Sequence, residues 1–218
     1  MTGGYDMYLF TRSARPLLGR TRDLMTWSVN ITEKVNQISQ TPVNLWTTAF
    51  SPGLGTLVWT TVVEDLSTLE ASETKLASDD GYLSLADEGA AFSSTDPVDD
   101  HLVQVLHAET DASSPAPAYA VVVNALLAPG ASVRGIELGI EIAQRAKAIT
   151  GVSTSFGVGV TGPYGMVTWV TGAESVEQLQ RSQEATAADA EFAKLVDAQG
   201  SDAYMAGSAV QIVYRKII

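Results

Sequence analysis

The chain has 218 residues, 45% of them apolar and 17% charged, with a formal net charge of −12. That is apolar enough for a sizeable core and excludes a disordered chain. The negative surface argues against nucleic acid and anionic membranes as partners, and the lack of cysteine excludes disulfides, thiolate metal sites and cysteine nucleophiles.

In chain order, residues 7–12 form a short aromatic-rich run that predicts a strand. Leu24, Trp27, Ile31, Val35 and Ile38 recur at spacings of three and four, which predicts a helix over 22–40 that ends before Pro42. Strands are expected at 44–50 and 56–62, joined by the turn Ser51-Pro52-Gly53-Leu54-Gly55. A second helix should start near Asp65, capped by Asp65 or by a Ser67/Glu70 box, and kink or break at Asp79-Asp80-Gly81. A turn-rich stretch, 89–100, leads to a fourth strand at 101–107. Residues 108–118 are small and proline-rich, which marks a linker between a first domain (1–107) and a second (119–218).

The order then repeats: strand 119–127, helix 132–150, strands 154–160 and 166–171 around the turn 161–165, helix 175–198 and strand 209–214. No apolar run is long enough to span a bilayer, and residues 1–16 lack the pattern of a signal peptide, so a cytoplasmic protein is expected.

The repetition is visible in the residues themselves. Without a gap, an offset of 110 places residues 43–87 on 153–197, with Gly55 on Gly165, Trp59 on Trp169, Glu64 on Glu174, Asp79 on Asp189 and Leu85 on Leu195. Trp46 falls on Phe156 in that alignment, and a separate offset of 107 places Gln104 on Gln211 and His107 on Tyr214. A repeat of this length is a duplicated domain. The fold class is therefore α+β: two tandem ferredoxin-like β-α-β-β-α-β units, each an antiparallel sheet with helices on one face. The other face of each sheet is also apolar, so the two sheets should pack against each other as a barrel-like assembly with the helices outside.

This pattern resembles the dimeric α/β-barrel superfamily, and within it the antibiotic-biosynthesis-monooxygenase and NIPSNAP-like domains. The residues that carry the resemblance are a Trp-bearing strand, a short acidic or serine turn and an amphipathic helix, at 57–70 and again at 167–179. The resemblance implies a small hydrophobic molecule held in the barrel or between sheet and helices, with Trp59 and Trp169 as pocket walls. The activities it implies are cofactor-free oxygenation of aromatic compounds, haem degradation, and isomerase or cyclase chemistry. Monooxygenase-type members often carry a His on the second helix, where this chain has Ser72-Glu73-Thr74 and Ser182-Gln183-Glu184. A haem-ligand role is therefore not carried over, and no cofactor or metal is expected.

Among candidate residues, Gln104 and Gln211 are amides in otherwise apolar strands. They either line a cavity and bond a ligand, or pair structurally across the pseudo-twofold. Trp46, Phe156, Trp59 and Trp169 are either core or the walls of a pocket for a flat ligand. His101 and His107 lie an even count apart, which places them on one strand face but too far apart to share a metal. His107 is either a surface residue or a general base at a barrel mouth. Gly157, Gly159 and Gly162 match a dinucleotide-loop spacing, but Pro163 and a returning strand follow, so Gly157 and Gly159 are read as allowing close backbone approach in a strand that ends in a turn at Gly162. The expected function is binding of a small hydrophobic, aromatic molecule, with cofactor-independent monooxygenase, isomerase or cyclase chemistry if catalytic. The alternative is a non-catalytic binding or assembly scaffold, with self-association open to it. The places where the halves differ favour the first half as the one that keeps a pocket.

Overall fold

The computed structural model describes residues 7–39, 41–94, 98–109 and 116–218. Residues 110–115, the middle of the expected linker, lie outside these, as do 95–97 and 1–6. The first half contributes β1 (Met7–Ala14), α1 (Thr21–Ile38), β2 (Asn44–Thr48), β3 (Leu57–Val63), α2 (Leu66–Ala77), α3 (Asp80–Gly89) and β4 (Asp99–His107). The second contributes β5 (Tyr119–Leu126), α4 (Ser132–Thr150), β6 (Thr154–Gly159), β7 (Met166–Ala173), α5 (Val176–Ala188), α6 (Ala190–Lys194), a π-helical turn at Leu195–Gln199, α7 (Gly200–Ala203) and β8 (Val210–Lys216).

The eight strands form one closed antiparallel barrel in the order β1-β3-β2-β8-β5-β7-β6-β4. Each half keeps the ferredoxin-like order, and its two edge strands hydrogen-bond to the other half. β2 pairs with β8 through Trp46↔Lys216, Thr47↔Arg215 and Thr48↔Tyr214, and β4 pairs with β6. Closure removes the exposed edges that two separate sheets would present. At the β4–β6 seam a Cβ on Gly157 would sit 2.6 Å from the Gln104 carbonyl oxygen, so the close backbone approach expected there is met.

The two sheet faces divide the work. Outward residues pack under the helices: Leu45 and Leu57 meet Leu24 of α1, while Phe156, Val167 and Trp169 meet Ala143 of α4. Inward residues build a separate core of Trp46, Val58 and Ala120, with Val170 and Tyr214 against it.

The expected helix break at Asp79 is observed, and its repeat partner Asp189 breaks the helix that follows β7 as well. The continuous helix predicted over 175–198 is therefore corrected to α5, α6 and the π-helical turn. Asp79 caps α3 by accepting from the Tyr82 N–H at 2.7 Å and pairs with Lys34 of α1 at 2.9 Å. Asp189 caps α6 through the Phe192 N–H at 2.7 Å and holds Arg145 of α4 through two bonds of 2.9 and 2.8 Å. In both halves one carboxylate stops a helix and fastens the broken pair to the first helix.

Candidate functional site

The strand registers place each sequence-predicted residue, and they do not bring the set together. Trp59 points outward and donates its indole N–H to Thr32 of α1 at 2.8 Å. Trp169 points outward in its own half and donates to the Gly139 carbonyl of α4 at 2.9 Å. Trp46 lies on the inner face, where it donates to Thr60 at 2.8 Å. Phe156 pairs with Trp169, whereas it is Leu45 that pairs with Trp59. Phe156 therefore matches Leu45, and the gapless placement of Trp46 on Phe156 is off by one residue. One residue on a strand is the difference between barrel interior and helix face.

The same comparison corrects the last strand. Arg12 pairs with Trp59 and Asp100; Val123 pairs with Trp169 and Gln211. Gln211 therefore matches Asp100, not Gln104. Gln104 sits opposite Tyr8, and Arg215 sits opposite Tyr119 at the matching place. Both glutamines face outward, on different walls, so they form no pair across the pseudo-twofold.

His107 pairs with Phe156 after a β-bulge that begins at Val105. The extra residue turns His107 to the helix side, while His101 stays on the inner face opposite Thr11. The two histidines are thus on opposite faces, contrary to the even-spacing argument. Among the described residues the His107 Nε2 is buried with no hydrogen-bond partner; it lies 3.7 Å from Glu109, whose carboxylate pairs with Lys147 of α4. Burial, and then the Lys147 charge, hold the imidazole pKa below its usual value. A histidine with a lowered pKa takes up its proton more readily in the unfolded chain. Stability is thus complete above about pH 6.5 and falls as the pH drops through the unfolded value. His107→Gln should flatten that limb of a melting-temperature profile taken between about pH 7.5 and 5; parallel profiles for the two proteins would refute the assignment.

Open space lies elsewhere. A groove of about 420 Å³ runs between α5, β8 and the β2–β3 hairpin of the first half. Its apolar wall is Phe50, Pro52, Val176, Leu179 and Val213, and its polar groups are Ser51 and the amides of Gln180, Gln183 and Gln211. Ser51 Oγ accepts the Val213 N–H at 2.8 Å, which fastens the hairpin to β8. Gln180 donates to Glu184 at 2.7 Å, and among the described residues its amide oxygen accepts no hydrogen bond. Phe50 takes a left-handed backbone (φ 52°), unusual for a bulky residue, and is 82% exposed at the rim.

Of the predicted site residues, only Gln211 lines this groove. Its main walls belong to the second half. Sequence reasoning missed Phe50, Gln180 and Gln183. The signal for the two helix glutamines was present, since the offset of 110 places Glu70 on Gln180 and Glu73 on Gln183.

No protein-family model and no curated protein matches the sequence. Solved structures do. A putative monooxygenase from Fusobacterium nucleatum superposes with a TM-score of 0.72 at 9% identity, over 100% of this chain and 94% of that one. An anthrone oxidase-like protein gives 0.69 at 9% identity, over 97% and 91%. A putative chlorite dismutase gives 0.60 at 10% identity, over 97% and 95%. The chain has the dimeric α/β-barrel fold. At these identities the match establishes the architecture, and a dimeric α/β barrel hosts sites that must be argued from their own residues. Among the described residues, no helix of this barrel is long and apolar enough to cross a membrane.

Proposed function

We propose that the protein binds a small, uncharged, largely apolar molecule in the groove between α5, β8 and the β2–β3 hairpin. The groove lining supports this reading: five apolar side chains, three amides and a hydroxyl around about 420 Å³. That volume lies within the range of about 300–1,000 Å³ common to small-molecule sites, and a few polar groups on an apolar wall are their usual composition. The exposed ring of Phe50 at the rim favours a flat, aromatic ligand, because offset stacking on it adds to area burial. None of the lining side chains titrates near neutral pH, so the groove supplies positioning in place of acid–base groups. This composition fits a binding protein.

A catalytic reading draws on two structural neighbours, a putative monooxygenase and an anthrone oxidase-like protein. An aromatic ligand reactive enough to meet dioxygen unaided would need only to be held in place.

The test is a fluorescence titration with N-phenyl-1-naphthylamine, a neutral apolar probe. The protein should enhance its emission saturably. Gln183→Trp, at an exposed helix position that faces the groove, should fill the space and weaken binding about tenfold or more. Probe affinity unchanged by that substitution, or no binding at all, would sink the reading.

A further inference from the structure

The groove has a counterpart across the pseudo-twofold, and the two can be matched residue by residue. α2 and α5 start from the caps Asp65 and Ser175, so Glu70 matches Gln180 and Glu73 matches Gln183. The registers match Asp100 with Gln211 and Arg12 with Val123. A shared contact confirms the frame: the Leu102 N–H donates to Thr161 Oγ1 at 2.9 Å, as the Val213 N–H donates to Ser51 Oγ at 2.8 Å. The backbone bonds Ala49 N–H to Val213 and Val160 N–H to Leu102 also correspond. Phe50 is then the one residue that the first hairpin has in excess, which accounts for its left-handed backbone.

In the first half the site is charged and occupied by its own sheet. Arg12 donates to Asp100 through Nε at 2.8 Å and Nη2 at 2.6 Å, and Nη2 lies 3.9 Å from Glu73. A planar group is thus held between a strand carboxylate and a helix carboxylate. In the second half both acids are amides, and a valine stands where the arginine was. Valine is too short to reach between the two amides; Val123 packs against the core under α4 and is not among the groove's lining side chains. A carboxylate only accepts hydrogen bonds, and suits a cation; an amide of nearly the same shape offers a donor and an acceptor.

We propose that this groove takes an uncharged ligand that presents a planar carboxamide, lactam or urea-type edge on an apolar body. Gln183 and Gln211 hold that edge as Glu73 and Asp100 hold the Arg12 guanidinium, and Phe50 with Val176 and Leu179 covers the body. This rests on the groove being a small-molecule site, as proposed above.

The experiment compares three probes of nearly one shape and different charge: benzamide, benzamidine as its cation, and benzoate. Binding is followed by NMR through the backbone amides of Gln211 and Val213 and the side-chain amides of Gln183 and Gln211. Benzamide should bind about tenfold more tightly than either charged analogue, because only it pairs both edges of the glutamines. In Gln183→Glu/Gln211→Asp, which restores the first-half pattern at two exposed positions, the order should reverse in favour of benzamidine by a similar factor. The double variant's melting curve shows that the fold is kept. Equal affinities in the parent protein, or an amide preference that survives the double substitution, overturns the proposal. If N-phenyl-1-naphthylamine still binds the groove in that case, the small-molecule site stands without this ligand class; if neither binds, both readings fall.

Discussion

Trp169→Ala should lower the melting temperature by about 6–20 °C, the largest effect of any single side-chain truncation considered. Trp169 is 7% exposed and packs with Phe156, Val167, Ala143 and Ala125 under α4. Its ring lies 5.1 Å from Phe156 and 5.4 Å from Tyr204, the latter edge-on. Its N–H also ties the sheet to the Gly139 carbonyl. Truncating a buried tryptophan costs about 3–5 kcal/mol, and a chain of this size loses about 2–4 °C per kcal/mol. Trp59→Ala should cost less, because Trp59 is only half-buried. Thermal unfolding followed by circular dichroism decides the matter; a loss below about 2 °C would mean that the α4 face is not the main core of the second half.

Gly139→Ala should destabilise despite the better helix propensity of alanine. A Cβ at position 139 would lie 2.3 Å from Cε2 and Cζ of the Phe156 ring, far inside contact distance. Phe156 is 1% exposed and pinned by Trp169 on the adjacent strand, so it cannot swing away freely. Alanine gains about 1 kcal/mol over glycine in a helix interior, against about 1–3 kcal/mol or more for overpacking a filled core. Combining it with Phe156→Leu should recover part of the loss, giving a coupling energy that urea unfolding can measure. Stabilisation by Gly139→Ala alone would contradict the packing described.

The two halves, their element order and most of their boundaries were legible because apolar periodicity and the repeat report local structure. The helix over 132–150 is observed at Ser132–Thr150, and the cap at Asp65 is in place. Side-chain direction on the strands was less legible. The gapless repeat hides one extra residue in the first hairpin, at Phe50, and a bulge in β4 hides another. Each slip reverses the face of every residue beyond it until the register is restored. Trp46 was thereby matched with Phe156, and His107 was placed on the same face as His101. Residue type matches Gln104 with Gln211, whereas the strand registers make Asp100 the counterpart of Gln211.

By itself the sequence determined that two β-α-β-β-α-β units lie in tandem, with apolar surface on both faces of each sheet. Local hydrogen bonding, capping and burial settle that much within each segment. Only the tertiary structure decided that the edges close into one barrel, which residues face its interior, and where space remains. A groove forms where a hairpin of one half meets a helix and a strand of the other. Its strand amide, Gln211, stands where the first half carries Asp100, a difference that acquires meaning only once strands far apart in sequence are in register.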